Sequence, residues 1–210
     1  MLSGGDGPGE DLVEALGADR AAAVRALLMR RAREWAQRAF GSDAVRVVQE
    51  STFARALAGE AAVGGGAAVG AGGAGGVGAE VGGAGGAGGA GGAGAGAVVA
   101  IAPELPIWHP ELAGALLGDL QSGCALALAP IFDRGLYLLA ISDPGRDGMQ
   151  ALAGLDLAGP RGMTDLIGLA HGSGWEVGLL RAERGLRRAQ DVRALLADPL
   201  TDAELRALLA

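Results

Sequence analysis

Ala97-Val98-Val99-Ala100-Ile101-Ala102 runs straight into Pro103-Glu104-Leu105-Pro106 and then Ile107-Trp108-His109-Pro110-Glu111-Leu112. Six apolar residues without a polar interruption cannot face water on alternate sides, so they predict a strand buried on both faces, which suits a parallel sheet. Pro103 and Pro106 end the strand, because proline offers no ladder N–H. Pro110 opens a helix over about 110–120, where a missing N–H costs nothing.

Working outward, the same two signals alternate along the chain. Downstream, 124–129 and 135–141 are apolar strands separated by the turn-like Pro130-Ile131-Phe132-Asp133-Arg134, with so short a link that an antiparallel return is expected there. A helix over 164–170, a strand over 175–180 and short helices over 191–196 and 201–209 complete this half. Upstream, Val24, Leu27, Leu28, Ala32, Trp35 and Ala39 share one face of a helix over 19–40, with Asp19 as its N-cap and Gly41 as its stop. A strand at 44–48 and an alanine-rich helix at 52–61 come next. Strands alternating with helices indicate an α/β layered fold.

Between the halves lies a tract of different character. Forty of the 210 residues are glycine, and nineteen of them fall in the 33-residue window Gly64 to Gly96. Its Gly-Gly-Ala repetition lacks the proline of collagen. With almost no side chain to bury, such a tract recovers little of the backbone entropy that ordering it would cost, so a disordered insertion is expected. The organisation predicted is therefore 1–63 and 97–210 as two parts of one α/β domain, interrupted by 64–96. Gly70, Gly72 and Gly75 match a Gly-x-Gly-x-x-Gly pattern, which a tract this rich produces by chance and which no strand precedes.

Composition excludes several functions. The net charge is −7, with no basic stripe to neutralise phosphates, which argues against nucleic acid. All 17 basic residues are arginine, so lysine Schiff bases and the P-loop lysine are ruled out. One cysteine, Cys124, leaves no internal disulfide framework and no cysteine-based zinc or iron–sulfur site. The uncharged run from Val81 to Pro103 contains ten glycines, so no membrane span is expected, and with no secretory signal in Met1 to Glu10 the expected compartment is the cytoplasm. His109 reads as a capping or surface residue, His171 as a helix C-terminal residue, and Cys124 as a small apolar residue of a strand.

Several segments resemble, in order, a bacterial glycosyltransferase family that includes arsenosugar-biosynthesis-type proteins. It belongs to the nucleotide-diphospho-sugar transferase superfamily and is related to the phospholactate guanylyltransferases. The likeness rests on the strand at 97–102 with Pro103-Glu104-Leu105-Pro106 and Pro110-Glu111-Leu112. It extends through Leu128-Ala-Pro-Ile-Phe-Asp133-Arg-Gly135-Leu-Tyr137-Leu-Leu139, then 164–180, and Gln190-Asp191-Val192. Leu12 to Gly17 is similar to the end of the family's nucleotide-loop motif. The resemblance implies a three-layer α/β/α, Rossmann-like, glycosyltransferase-A-like fold with a mixed, mostly parallel sheet. It also implies a nucleotide or nucleotide-sugar held at the strand ends with a divalent metal such as Mg²⁺.

Three departures bear on that chemistry. Gly9 and Asp11 stand where the family has Lys and Arg; Ile101 stands where it has a metal-binding aspartate; and Gly185 to Ala189 replaces an acidic stretch with one carrying Arg187 and Arg188. The expectation is a transferase-like domain without metal ligands or a cofactor, acting as a binding or scaffold protein. The alternative is an active transferase with substituted residues. The candidate ligand-binding residues are Glu104, Asp133, Tyr137, Arg187 and Arg188, against plainer readings of Glu104 and Asp133 as turn residues and Tyr137 as core.

Overall fold

A computed structural model describes residues 10–41, 45–48, 67–69, 78–81, 97–132, 135–142, 148, 150–152, 154–155, 157 and 161–210. Its elements, in chain order, are α1 (Glu10–Leu16), α2 (Ala18–Phe40), β1 (Val45–Val48), β2 (Ala67–Val69), β3 (Gly78–Val81), β4 (Ala97–Ile101), α3 (Glu111–Gln121), β5 (Leu126–Pro130), β6 (Leu136–Ser142), α4 (Gly162–Gly172), β7 (Val177–Leu179), α5 (Ala189–Ala197) and α6 (Ala203–Leu209). The helix expected over 52–61 lies outside the described residues.

The strands form one mixed sheet in the order β2-β1-β3-β4-β6-β5-β7. Two pairings are parallel, β1 with β2 and β5 with β7. The other four are antiparallel, which corrects the expectation of a mostly parallel sheet. Five strands do share one direction, but the two reversed ones, β3 and β6, are both internal, and each therefore creates two antiparallel ladders. β4 itself is antiparallel to both its neighbours. Its unbroken apolar run reported burial on two faces, and helices deliver that whichever way the neighbouring strands run.

The two faces of β4 separate cleanly. Val99 and Ile101 join Ala32, Trp35 and Ala36 of α2 and Leu112, Ala113 and Leu116 of α3. Val98 and Ala100 face the other way, into a cluster with Leu126, Leu128, Leu139, Ile141 and Leu166 and Ala170 of α4. A third cluster lies beyond the sheet, where Val24, Leu27 and Leu28 of α2 meet Leu12 of α1, Val192 and Leu195 of α5 and Leu205 and Leu209 of α6. The single apolar stripe of α2 thus serves two partners, the sheet with its C-terminal half and a helical layer with its N-terminal half.

The helix boundaries hold with small changes. α2 ends at Gly41, whose N–H donates to Gln37 O at 2.9 Å. At its other end Gly17, not Asp19, is the N-cap, and Asp19 instead sits in the first turn, where its charge suits the helix dipole. Leu12 to Gly17, expected as the tail of a nucleotide loop, is helix α1 and its exit, folded back onto α2. Pro110 is the N-cap of α3.

Inside the glycine window, the segments 67–69 and 78–81 are strands, against the expectation of disorder throughout. They are stretches where the tandem Gly-Gly doublets give way to Ala-Ala-Val and Gly-Ala-Glu-Val, and backbone pairing with β1 and β4 supplies what side chains cannot. Among the described residues no helix is long and apolar enough to cross a membrane.

Two close contacts generate predictions. A Cβ at Gly178 of β7 would collide with Asp119 Oδ2 and lie 2.7 Å from Asp119 Cβ, so the whole Asp119 side chain blocks it. Gly178→Ala is expected to destabilise the fold by about 1–3 kcal/mol, read as a lowered urea midpoint at unchanged slope. Asp202, the N-cap of α6, accepts from Leu205 N at 3.0 Å and pairs with Arg31, whose Nη1 and Nη2 each lie 2.8 Å from a carboxylate oxygen. Arg31 holds the Asp202 carboxyl down at about 2, from an ordinary 3.8. With the folded value depressed, this contribution is complete above pH 3.8 and is lost as pH falls through about 2. Asp202 is half-exposed, so its charge is worth only about 1 kcal/mol. Asp202→Asn keeps the cap, and should be destabilised by that amount at pH 7 and by nothing well below pH 2 in urea titrations.

Candidate functional site

In layered α/β folds, ligands gather at the carboxyl ends of the co-directional strands. Here four pieces of chain build that edge: the loop 102–106 after β4, Ile131 and Phe132 after β5, Gly135 and Leu136 at the start of β6, and the segment 180–188 after β7. Backbone bonds tie them together. Leu180 N–H donates to Leu128 O at 2.7 Å, Glu183 N–H to Pro130 O at 3.0 Å, Phe132 N–H to Glu183 O at 2.9 Å and Leu186 N–H to Glu104 O at 2.8 Å.

Two of the predicted residues meet at this edge. Arg187 Nε donates to Glu104 Oε2 at 2.5 Å, and Nη2 reaches the same oxygen. Both side chains are largely buried, at 15% and 16% exposure. Burial pushes the Glu104 carboxyl up from its ordinary 4.5, against the opposing pull of the Arg187 guanidinium. The guanidinium also lies beside Gly135: a Cβ there would sit 3.3 Å from Arg187 Nη1, and the backbone has φ +80°. Glycine at 135 lets the strand start pass directly under the arginine.

Tyr137 and Arg188 have other partners. Tyr137 is fully buried, T-stacked on Trp108 with ring centroids 6.0 Å apart, and its hydroxyl donates to Arg181 O at 3.1 Å. Burial pushes its phenol up to about 12. A bulge explains its place: Ala129 pairs with Leu138 and Pro130 with Leu136, so Tyr137 is skipped and turns to the same face as Leu138. Tyr137 is packed into the core on the α2–α3 side of the sheet. Arg188 points elsewhere, with Nε 3.8 Å from Asp11 Oδ2, beside a groove of about 430 Å³ between α1 and α5 that is lined by Asp11, Glu14, Arg188 and Arg193. Asp133 lies outside the described residues.

Ile101 is completely buried in the cluster with Trp35, Leu105 and Trp108. No carboxylate therefore occupies the last position of β4, and among the described residues no three His, Cys, Asp or Glu side chains group closely enough to hold a metal ion. Among the described residues of this edge, the Glu104 carboxylate is already engaged by the Arg187 guanidinium. His109 stands 3.7 Å from Glu111 at the surface, His171 ends α4, and Cys124 is half-buried just before β5.

One residue of this region was named in the sequence reading only as part of a resembling segment, not as a site residue. Asp191, third in α5 and nearly buried, accepts the backbone N–H groups of Arg187 at 3.1 Å and Arg188 at 3.0 Å, and Arg184 Nη1 lies 3.3 Å from its other oxygen. It fixes the backbone that carries Arg187. The signal was an acid three residues after the helix N-cap.

No protein-family model matches the chain, and no curated protein matches it. A solved structure with some likeness is the "putative nucleotide-diphospho-sugar transferase" of Desulfovibrio desulfuricans G20, with 22% identity and a TM-score of 0.45 over 54% of this chain. The chain spans about half the length of that protein, covering 50% of it.

The buried pair makes a double-mutant prediction. Glu104→Leu or Arg187→Leu alone breaks the buried pair and should cost about 3–5 kcal/mol, whereas the two substitutions together should cost far less than the sum. Chemical denaturation of the three variants and the parent measures the coupling.

Proposed function

We propose that this chain is a nucleotide-diphospho-sugar transferase-like domain that does not perform metal-assisted transfer and acts through binding or scaffolding. The observation that carries the reading is the Glu104–Arg187 pair. Metal-assisted transfer requires carboxylates to hold the ion that neutralises developing phosphate charge. Glu104 is the acid this chain retains in the Pro-acid-Leu-Pro segment, and it is paired inward with an arginine. Ile101, where the resemblance places the other acid, is core.

The fold side of the proposal is a three-layer, glycosyltransferase-A-like arrangement of one domain, in which 1–63 and 97–210 are joined through β2 and β3 of the 64–96 segment. Support comes from the apolar clusters on both faces of β4, which join α2 and α3 on one side and α4 on the other. Location in the cytoplasm and a nucleotide or nucleotide-sugar as ligand belong to the same proposal. The competing reading, an active enzyme using Glu104, Asp133 and Arg187 or Arg188, requires Glu104 to leave Arg187 and bind a metal. The structure gives Arg188 a different neighbour, Asp11.

Calorimetry separates the two. Titration with GTP, CTP or a UDP-sugar in the presence of Mg²⁺ is expected to show no metal-dependent heat. Micromolar affinity abolished by EDTA would overturn the proposal.

A further inference from the structure

After β7 the chain crosses the carboxyl-end edge of the sheet before entering α5. From Arg181 to Arg188 it reads Arg-Ala-Glu-Arg-Gly-Leu-Arg-Arg, four arginines and a glutamate among eight residues. Leu180 is anchored in the cluster on the α2–α3 face of the sheet, and Leu186 in the helical cluster of α1, α2, α5 and α6. Between those anchors the segment bridges the end of β5, through Glu183 with Pro130 and Phe132, and the loop after β4, through Leu186 N–H with Glu104 O. A Cβ at Gly185 would stand 3.1 Å from Ile131 Cγ2, so the segment lies directly on the end of β5.

We infer that residues 181–187 form a strap closed over the carboxyl-end edge of the sheet, latched by the Glu104–Arg187 pair, and able to open as a local unit while β4, β5 and β6 stay folded. The contrast in what holds each part supports this. β4, β5 and β6 are locked by long ladders and apolar burial on both faces. In the strap, Arg181 pairs with Glu183 and Arg184 with Asp191, and both arginines are about half-exposed or more. Such exposed pairs hold weakly. Leu186 is its one buried large apolar side chain. Segments with few apolar contacts and surface-facing charge open at lower free energy than the core. Opening would part Arg187 from Glu104 and bare Ile131 and the start of β6, the position where ligands enter this class of sheet. The strap is a matter of geometry alone and stands whether or not the transferase-like reading does.

Native-state hydrogen exchange tests it on the unmodified chain. At low urea concentration, the amides of Glu183 and Leu186 should exchange through an opening with weaker denaturant dependence than those of Leu139 and Ile141. Breaking the latch by Glu104→Gln should speed exchange across 181–187 by about a hundredfold or more, and the core amides with it, because the pair is lost in the unfolded chain as well; Ile141→Val, which weakens the core alone, should speed exchange at 136–142 and leave 181–187 unchanged. Strap amides that exchange only with global unfolding in the unmodified chain would overturn the inference. So would a Glu104→Gln effect that is absent at the strap, or an Ile141→Val effect that is equal at strap and core.

Discussion

Everything in this molecule depends on β4 being apolar on both sides. A strand with no polar face must be covered twice, and the sheet is accordingly lined by α2 and α3 on one face and α4 on the other. Neighbouring strands inherit the requirement: Leu126 and Leu128 of β5 turn to one face while Ala127 and Ala129 turn to the other, small residues meeting the large rings of the α2–α3 side. Trp35, Trp108 and Tyr137 fill that side as a tilted and edge-on stack, and Trp35 Nε1 donates to His109 O at 2.9 Å, which fastens the approach to α3 onto α2.

The same burial shapes the chemistry at the strand ends. Because Ile101 belongs to the apolar face, the end of β4 presents no acid to the edge, and the next acid, Glu104, lies in a loop held down from several sides. Arg31 Nη1 donates to Pro106 O at 2.9 Å while also holding Asp202, so α2, α6 and that loop share one guanidinium. Glu104 O receives Leu186 N–H and its carboxylate receives Arg187. The loop is thus held at Pro106 from α2, and it meets the 181–187 segment through Leu186 and Arg187.

Much of the fold was legible one segment at a time. The period of α2, the short return between β5 and β6 and the apolar run of β4 each follow from local residue pattern, because side-chain periodicity reflects which faces are buried. Beyond that return, strand direction was not legible, since two-sided burial is the same for parallel and antiparallel neighbours, and placing β3 and β6 inside the sheet made most ladders antiparallel. The strands within the glycine window were hidden for a related reason: their pairing is made by backbone groups, which every residue type carries.

Of the candidate site, sequence alone determined the chemistry on offer: no lysine, one cysteine, two histidines, an acid at 104 between two prolines and arginines at 187 and 188. It could not determine which of these meet. Eighty-three residues separate Glu104 from Arg187, and only the closing of the sheet edge brings them into contact. Tyr137 is placed by the same kind of non-local event, a bulge against β5 that turns it to the face of Leu138. Residue type is set by the sequence, whereas the partner of a charge, and the cost of burying it, are set by elements distant in the chain that arrive together only when the core forms.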